Sequence, residues 1–245
     1  MQIQAPKGMK DVTPKESYKW QYIEKLMRSA CAEFGYRETR TPVLEHTELF
    51  ARGVGDTTDI VQKEMDTFTD KGDRAVTLKP EGTAGAVRMF LENKLFADAQ
   101  PTKMFYLYCP VFRYEKPQAG RLRELHQFGV EMFGTAEPAA DAQVIAMAMS
   151  ILNHLGLADD IEVSINSIGC PTCRAEYRKA LRAYFEGYKD QRCETCNSRL
   201  ERNPMRILDC KSPVCGEIAK GAPKSTDYLC DDCRAHFEKV QTLLK

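Results

Sequence analysis

The chain has 245 residues, of which 43% are hydrophobic, and its 35 Lys and Arg residues balance its 35 Asp and Glu residues. No apolar run approaches the roughly 20 residues that a membrane-spanning helix needs, and the N-terminus has neither a signal nor a transit character. We therefore expect a globular, cytoplasmic protein without a membrane partner, with one large core or one core plus a module, and without a general positive charge that attracts nucleic acid.

The N-terminal part predicts an amphipathic helix. Thr13 is the predicted N-cap, Pro14 takes the first helical position, and Glu16 follows three residues after the cap. Apolar residues keep a helical spacing through Ala32, and we expect the helix to end near Gly35.

The following segment predicts a mixture of helices and strands. A short extended stretch through Pro42 leads into a helix that Gly53 and Gly55 would interrupt. Two strands follow around the turn sequence DKGD at 70–73, and a further helix opens near Thr83.

The central part predicts a long hairpin, a second apolar helix and one more strand. Residues 103–115 and 123–134 indicate two strands joined by a loop, followed by a helix over 137–156 and a strand over 160–169. Because strands paired through turns run antiparallel, we predict an α/β fold of the α+β type, in which helices flank a mainly antiparallel sheet. The sequence lacks the motifs G-x-G-x-x-G and G-x-x-x-x-G-K-[ST], which argues against a Rossmann or P-loop fold.

The predicted hairpin has one polar face. Side chains alternate along a strand, so Gln127, Gly129 and Glu131 share a face, and antiparallel pairing would bring Arg113 close to it. Such a surface suits a zwitterion, because arginine forks onto a carboxylate or phosphate while glutamate and glutamine accept from an ammonium group. The alternative is a solvated sheet edge with an ordinary ion pair. The opposite face is predicted to be core and carries His126, Phe128, Val130 and Met132.

Further polar residues lie at the helix start and in the hairpin loop. Glu81 and Thr83 follow a strand end, where ligands of α/β sheets commonly bind, and a capping role for Thr83 is compatible with ligand binding. Cations that flank the loop would meet a polyphosphate, and solvated loop charges are the alternative explanation. These cations are Lys116, Arg121 and Arg123.

The ten cysteines are unevenly distributed. Cys31 and Cys109 stand alone, whereas eight fall between residues 170 and 233, six of them as C-x-x-C pairs. In a cytosolic chain such pairs are more typical of zinc sites than of disulfides, and reduced thiols are the alternative. The spacing leaves open two four-cysteine sites or one site with spare thiols. The predicted ligands, whose spacing is most similar to that of zinc sites, are Cys170, Cys173, Cys193 and Cys196.

Four segments carry a family resemblance. They are PKGMKDVTP at 6–14, RTPVLEHTELFARGVGD at 40–56, LKPEGTAGAVR at 78–88 and FRYEKPQAGRLRELHQFGVEMFG at 112–134. Over essentially its whole length, the chain resembles the N-terminal half of the bacterial histidyl-tRNA synthetases, which are class II aminoacyl-tRNA synthetases. The second segment resembles the dimer interface of that class, the third its substrate-amine segment, and the fourth its ATP-binding hairpin.

The resemblance implies a fold, an activity and partners. Residues 1–168 would form the N-terminal part of a class II catalytic domain, and 169–245 a small, mostly helical, Cys-rich insertion domain. The Zn²⁺ expected in this domain is predicted by the cysteine pairs and not by the resemblance. The activity would be a ligase that uses ATP with Mg²⁺ to convert L-histidine to histidyl-adenylate and then charges tRNA(His), as a homodimer. We expect the chain to be an N-terminal portion that is inactive alone.

The resemblance also implies a role for each candidate residue around the amino acid. Arg113 would be the catalytic residue and would contact the α-phosphate of ATP and the carboxylate of histidine. Glu131 would face the imidazole ring of histidine. The residues that would hold its amino group are Glu81, Thr83 and Gln127.

The remaining candidates would serve ATP and tRNA. The resemblance places Arg121 and Arg123 with Arg113 in the ATP-binding site, where Arg121 would meet the outer phosphates. Lys116 and Gln118, in the hairpin loop, would approach the acceptor end of tRNA(His).

Two other functions compete with this interpretation. One is a catalytically inactive synthetase paralogue that senses histidine as the regulatory subunit of ATP phosphoribosyltransferase. Such a protein would be expected to lose ATP-contacting arginines and the insertion, whereas this sequence keeps Arg113, Arg121, Arg123 and a long Cys-rich segment. The other is a freestanding zinc-ribbon interaction protein, which would explain only the last third of the chain.

Overall fold

The computed structural model describes residues 3–54, 61 and 64–245. The chain divides into two compact units. The first unit comprises Met1–Ala136 and Gln143–Asp159, and the second comprises Glu137–Ala142 and Asp160–Lys245. Of the helices described, none is long and apolar enough to cross a membrane.

The described part of the chain contains α-helices, short 3₁₀ turns and short strands. The α-helices are α1 (Ser17–Glu33), α2 (Thr47–Val54), α3 (Thr83–Glu92), α4 (Pro138–His154), α5 (Pro171–Glu186), α6 (Glu194–Arg202), α7 (Pro213–Lys220) and α8 (Asp231–Leu243). The 3₁₀ turns are Leu95–Ala97, Ala158–Asp160, Pro204–Ile207 and Ser225–Tyr228. The strands are β1 (Arg37–Glu38), β2 (Leu44–His46), β3 (Thr67–Thr69), β4 (Ala75–Leu78), β5 (Thr102–Tyr106), β6 (Pro110–Phe112), β7 (Glu124–His126) and β8 (Gly129–Phe133).

Helix α1 confirms the predicted amphipathic helix but begins later than predicted. The carbonyl of Thr13 accepts the backbone N–H groups of Glu16 and Ser17, each at 2.9 Å, so a turn precedes the helix and Thr13 is not its N-cap. Glu16 occupies that position without a side-chain cap. The end agrees with the prediction, because Gly35 adopts a φ of +78°, which a glycine accommodates without strain.

The pairing of the strands is mainly antiparallel, as predicted. One sheet has the order β2-β4-β3, another β1-β5-β8, and β6 pairs with β7. Four of the described pairs are antiparallel, and β1 with β5 is parallel. The predicted strand over 160–169 is wrong: no strand among the described residues pairs with this segment, and without a partner the alternating pattern does not form a sheet.

The long hairpin is divided between two pairings rather than continuous. Tyr106 lies opposite Gly129, whereas Pro110 lies opposite His126, so three residues on the first side face two on the second. The extra residue reverses the alternation of side chains, as in a β-bulge. Tyr106 and Cys109 therefore pack into one buried cluster, although they are an odd number of residues apart.

The core of the first unit forms between α1, α4 and the β1-β5-β8 sheet. Its apolar cluster confirms that the face with Phe128, Val130 and Met132 is core, whereas His126 is exposed and its ring packs edge-on against Trp20 at 4.7 Å. The buried members are Ala30, Cys31, Tyr36, Phe105, Leu107, Met147 and Ile151.

Helix α2 runs through Gly53 to Val54, so the prediction that Gly53 interrupts it is wrong. A Cβ atom at Gly53 would lie 3.7 Å from the Cβ of Ala84, which shows that the glycine lies close to the start of α3. Gly55, the second predicted interruption, lies outside the described residues.

The second unit is helical apart from its connecting turns, as predicted for the Cys-rich segment. Tyr177, Leu181 and Phe185 recur every four residues on α5 and are buried along one face of that helix. They pack with Leu200 and Ile207 and with two buried cysteines. Because the unit is small, the cysteines form a substantial part of its core.

Candidate functional site

The candidate site of the first unit begins where β4 passes into α3. The carboxylate of Glu81 accepts the backbone N–H groups of Thr83 at 2.8 Å and Ala84 at 2.7 Å. Glu81 therefore caps the N-terminus of α3 by accepting its first amides. The sequence had suggested this capping role for Thr83. The hydroxyl of Thr83 instead lies 3.2 Å from that of Tyr106.

Two hairpin side chains hold the segment that precedes α3. The Nε of Arg113 donates to the carbonyl of Pro80 at 3.0 Å, and Oε1 of Gln127 accepts the N–H of Gly82 at 2.7 Å. The structure thus brings Arg113 and Gln127 to the same short segment as Glu81. This contact joins the hairpin to the helix start, as required if these residues act on one ligand.

Glu131 occupies a half-buried position on β8. The hydroxyl of Tyr106 lies 3.4 Å from its Oε1 atom. Burial raises the pKa of the Glu131 carboxyl, because the charged form loses solvation. Burial also raises the pKa of Tyr106 to about 12, so the phenol is a neutral hydrogen-bonding group near neutral pH. A half-buried carboxylate of this kind suits a partner that carries an N–H donor or a positive charge.

Sequence reasoning missed Tyr106 and Lys79. Tyr106 lies between the start of α3 and Glu131. It pairs with Gly129 on the opposite strand, and an aromatic side chain in such a pair covers the glycine. Lys79 is 1% exposed, and its ammonium donates to the carbonyl and hydroxyl oxygens of Thr41, each at 3.2 Å. A buried lysine directly before Pro80 fixes the position of the segment that Arg113 contacts.

A groove of about 540 Å³ lies beside the hairpin loop. Lys10, Arg113 and Arg121 contribute cationic side chains to its wall, and Glu115 contributes a carboxylate. Arg121 pairs with Glu115, with 3.2 Å between the Nη1 and Oε2 atoms. The groove therefore offers several cations to a polyanion. One of these cations, Arg121, already pairs with an acidic residue.

The other loop candidates lie in different environments. The guanidinium of Arg123 stacks on the ring of Tyr114, with 3.9 Å between the Cζ atom and the ring centroid, and its Nε donates to the carbonyl of Glu115. Lys116 and Gln118 are exposed. The backbone of Gln118 exchanges hydrogen bonds with that of Arg121, which closes the tip of the loop.

The N-terminal segment also supports the hairpin. The carbonyl of Gly8 accepts the backbone N–H groups of Arg123 at 2.7 Å and Glu124 at 3.3 Å. Gly8 has a φ of +87°, and a Cβ atom there would lie 2.8 Å from the Cγ of Arg123. A glycine is therefore required for this close approach.

The arrangement combines acceptors and cations in one region of the first unit. Carboxylate, amide and hydroxyl oxygens surround the start of α3, and Arg113 lies between them and the cationic groove. Acceptors suit an ammonium group, and arginine suits a carboxylate or phosphate. The site can therefore place an amino acid next to a polyphosphate.

The second unit contains two clusters of cysteines. The outer group lies at the two ends of the Cys-rich segment and consists of Cys170, Cys173, Cys230 and Cys233. The inner group lies between them along the chain and consists of Cys193, Cys196, Cys210 and Cys215. In each group the four sulfur atoms lie within 4.8 Å of one another. A group of this composition is able to hold a metal ion.

The predicted grouping of Cys170, Cys173, Cys193 and Cys196 in one site is wrong. The fold places the first pair with Cys230 and Cys233 and the second pair with Cys210 and Cys215. The physical reason is that helices α5 and α8 bring the ends of the segment together, a contact between residues distant in sequence that spacing does not encode.

Backbone amides influence two of these thiols. The N–H of Cys173 lowers the pKa of Cys170 to about 6, and the N–H of Cys196 lowers the pKa of Cys193 to about 7. In each case the first cysteine is the N-cap residue of a helix, where the first backbone amides lack intrahelical partners.

Comparison with known proteins identifies the family of the chain. The family model described as histidyl-tRNA synthetase matches residues 8–170. The chain is 59% identical over 245 residues to a histidine--tRNA ligase of Clostridioides difficile and 59% identical over 244 residues to one of Clostridium novyi. It is covered completely in both comparisons and spans 58% of the length of each relative.

Solved structures agree with this assignment. The apo histidyl-tRNA synthetase of S. aureus matches with a TM-score of 0.76 and 39% identity, over 99% of this chain and 54% of that one. A Bacillus halodurans protein titled as an ATP phosphoribosyltransferase regulatory subunit/histidyl-tRNA synthetase matches with a TM-score of 0.66 and 23% identity, over 100% of this chain and 65% of that one, and shares the fold. The chain belongs to the histidyl-tRNA synthetase family.

Proposed function

We propose that the full-length protein is a histidine--tRNA ligase, which activates histidine with ATP and transfers it to tRNA(His). One observation carries this proposal: Arg113 and Gln127 both hydrogen-bond to the backbone of residues 80–82. This segment lies beside the carboxylates of Glu81 and Glu131. That geometry suits an amino acid placed against a phosphate. Membership of the family supports the choice of histidine and tRNA(His).

Histidine binds, in this proposal, through three groups of contacts. The ammonium is held by acceptors on Glu81, Thr83 and Gln127, and the imidazole faces Glu131. The raised pKa of the Glu131 carboxyl supports this role, because a protonated or N–H-donating imidazole would compensate for the solvation that burial removes. The carboxylate of histidine is oriented by Arg113.

ATP binds in the groove beside the loop. Arg113 contacts the α-phosphate and Arg121 the outer phosphates, so the Arg121–Glu115 pair opens when ATP arrives. Arg123 remains a proposed ATP ligand, although its guanidinium packs on Tyr114 in this structure. Mg²⁺ bound together with ATP would supply further positive charge to the phosphates, since this ion usually keeps several waters and binds through substrate oxygens rather than in an all-protein cage.

The chemistry then has two steps. A carboxylate oxygen of histidine attacks the α-phosphorus of ATP, an O–P bond forms, and pyrophosphate leaves with the electrons of the broken bond. A terminal hydroxyl oxygen of tRNA(His) attacks the carbonyl carbon of the adenylate, forming an ester bond; the bond from that carbon to the phosphate oxygen breaks, AMP leaves with its electron pair, and the hydroxyl proton passes to the phosphate. The protein contributes mainly position and positive charge, and removing one such contact typically costs on the order of 3 kcal/mol of transition-state stabilisation.

We assign the two parts of the chain different tasks. Residues 1–168 form part of the catalytic domain, and 169–245 form an insertion domain that contacts tRNA(His) and binds Zn²⁺. Lys116 and Gln118 approach the acceptor end of the same tRNA, which their exposure supports. The cytoplasm is the proposed location.

A homodimer is the proposed assembly, formed through the segment near residues 41–56. Leu44 and Phe68 support it, because they are 45% and 47% exposed on one face of the β2-β4-β3 sheet. Leu44 pairs with Leu78 and Phe68 with Val76, so all four share that face. An isologous contact would cover it. Asp56, at the end of the segment, lies outside the described residues.

Histidine-dependent exchange of pyrophosphate into ATP tests the proposal. The full-length protein is expected to catalyse this exchange with L-histidine and to charge tRNA(His). Other amino acids serve as the specificity control. Histidine binding without exchange would instead favour the regulatory subunit of ATP phosphoribosyltransferase, and absence of both would overturn the proposed function.

A further inference from the structure

We propose that the second unit holds two zinc ions in nested tetrathiolate sites, one formed by the outer group and one by the inner group of cysteines. The inner site lies between the two halves of the outer site along the chain. This proposal rests on the geometry of the cysteines and does not depend on the activity proposed for the first unit.

The distances between the sulfur atoms fit a single ion in each group. Four Zn–S bonds of about 2.3 Å in a tetrahedron place the sulfurs about 3.8 Å apart. The Sγ atoms of Cys170 and Cys173 lie 3.5 Å apart, and those of Cys193 and Cys210 lie 3.8 Å apart. An iron–sulfur cluster distributes its thiolates over separate iron atoms, which requires wider spacing than the 4.8 Å limit found here.

The same spacing argues against disulfides. A disulfide joins its sulfur atoms at about 2.05 Å, far below the separations in either group. All ten cysteines of the chain are free in this structure. Each group therefore presents four separate thiols that converge on one point, as a tetrahedral cation requires.

Helix starts surround both groups. Cys170, Cys193 and Cys230 are the N-cap residues of α5, α6 and α8, and the second cysteine of each pair follows in the first helical turn. The free amides and the positive end of the helix dipole at these positions favour negative charge. Four thiolates around Zn²⁺ carry a net negative charge, so the helix starts stabilise such a centre.

Hydrogen bonds link the two pairs within each group. The backbone N–H of Cys230 donates to Sγ of Cys173 at 3.1 Å in the outer group, and that of Cys193 donates to Sγ of Cys215 at 3.3 Å in the inner group. Such donors orient metal-bound thiolates and reduce the charge they carry. They connect the pairs in the combination that the proposal requires.

A buried cation lies beside the inner group. Arg192 is 6% exposed, and its Nη1 donates to the carbonyl of Cys196 at 3.3 Å. A buried guanidinium is costly unless negative charge or hydrogen bonds compensate it. An anionic zinc centre next to it supplies part of that compensation.

The two sites differ in burial, which predicts different lability. Cys196 and Cys215 of the inner group are 0% exposed and belong to the apolar core of the unit. In the outer group Cys173 is buried, but Cys230 is exposed. A chelator should therefore remove the outer ion first, because its ligands are reached without opening the core.

The decisive experiment measures zinc in the full-length protein. The protein is purified without a histidine tag, under anaerobic conditions and without a chelator, and zinc is counted by mass spectrometry against quantitative amino-acid analysis. We expect two equivalents per chain. A content of one or none would overturn the proposal, and one equivalent is the content expected for a single site with spare thiols.

Matched variants test the ligand assignment. Cys233→Ser should remove the outer ion and Cys210→Ser the inner ion, each leaving one equivalent, and Cys31→Ala, outside both groups, should keep two. If Cys233→Ser and Cys210→Ser both keep the wild-type content, the assignment is wrong, because a site formed by the first two C-x-x-C pairs uses neither residue.

A measurement on the unaltered protein covers the case in which a variant fails to fold. Cadmium-substituted protein should give two NMR resonances in the range of four-sulfur coordination. Titration with a chelator should release zinc in two phases, with the slower phase absent from any folded Cys210→Ser protein. A single cadmium resonance, or resonances outside the four-sulfur range, would overturn the two-site proposal.

Discussion

Tyr106 packs directly against Gly129: a Cβ atom at residue 129 would lie 2.3 Å from the phenolic oxygen of Tyr106. The same ring lies against Gly82, where a Cβ atom would be 2.5 Å from the ring. The two glycines therefore admit Tyr106 between the start of α3 and β8. In this position its hydroxyl reaches both Thr83 and Glu131.

Gly129→Ala should displace Tyr106. The added methyl group overlaps the ring, and such overpacking typically costs about 1–3 kcal/mol of unfolding free energy. We also expect a higher KM for histidine, because the hydroxyl of Tyr106 loses its position beside Glu131. Urea denaturation and pyrophosphate exchange on the full-length protein measure the two effects. Gly216→Ala, where a Cβ atom meets nothing within 4 Å, is the control: it should leave the KM unchanged and, because alanine is the better residue inside helix α7, raise the unfolding free energy by up to about 1 kcal/mol rather than lower it.

Glu131→Gln should increase stability at neutral pH while weakening histidine binding. Burial raises the pKa of this carboxyl, so the folded protein holds its proton at pH values where the unfolded chain has released it. The wild type therefore loses stability as pH rises from about 4.3, the ordinary glutamate value, through the folded pKa. The glutamine variant lacks that loss.

The gain in unfolding free energy from Glu131→Gln should be larger at pH 7 than at pH 4, because the wild type loses stability as pH rises between these values. Urea denaturation at both pH values measures it, and Glu124→Gln on β7, which precedes β8 along the chain and pairs with β6, is the control. The KM for histidine should rise roughly tenfold or more, since a hydrogen bond to a charged group contributes about 1.5–3 kcal/mol. An unchanged KM would contradict the assignment of Glu131 to the imidazole.

Arg113→Lys should reduce exchange by roughly a hundredfold. Lysine keeps the charge but lacks the planar fork that contacts two oxygens at once, and it also loses the bond from Nε to the carbonyl of Pro80. Arg74→Lys is the matched control, since Arg74 pairs with Asp70 in the turn between β3 and β4. If both variants exchange at the wild-type rate, Arg113 does not contact the reacting groups.

Phe68→Asp should weaken the proposed dimer. A charge on the exposed apolar face of the β2-β4-β3 sheet would have to lose its hydration in the contact, at a cost of several kcal/mol. Analytical ultracentrifugation of the full-length protein at micromolar concentration should show a dimer for the wild type and mainly monomer for the variant. A wild type that is monomeric under these conditions would remove the basis for the proposed dimer.

Cys173→Ser should separate the two steps of the reaction. The proposed contacts to ATP and histidine lie before residue 132, whereas Cys173 belongs to the outer group of the second unit. We expect charging of tRNA(His) to fall at least tenfold while pyrophosphate exchange stays within about twofold of the wild type, because unfolding of a metal-dependent unit removes tRNA contacts. Equal losses in both assays would refute this division, and normal charging would leave the metal without a role in tRNA binding.

Local patterns in the sequence determined much of the secondary structure. The periodicity of α1 and α4, the hairpin of β3 and β4, and the helix start at Thr83 depend on neighbouring residues, and the structure agrees with each of them. The boundary of α1 was less predictable, since the carbonyl of Thr13 forms a turn that a capping pattern does not distinguish from a helical first turn.

The candidate ligand-binding residues of the first unit could also be proposed from the sequence. Alternation along one strand places Gln127 and Glu131 on one face, with Gly129 between them. Tertiary structure decided the rest. One extra residue between Tyr106 and Pro110 shifts the register, so Tyr106 and Cys109 face the same cluster, and strand alternation alone assigns them to opposite faces.

The cysteines show the same limit. Their number and C-x-x-C spacing identified a metal-binding composition from sequence alone. Which pairs meet depends on tertiary packing: Leu181 and Phe185 of α5 belong to one apolar cluster with Leu200 of α6, and Tyr228, just before Cys230, packs against that cluster. Local spacing carries no information about such contacts, because the free energy that selects them comes from burying surface between distant segments.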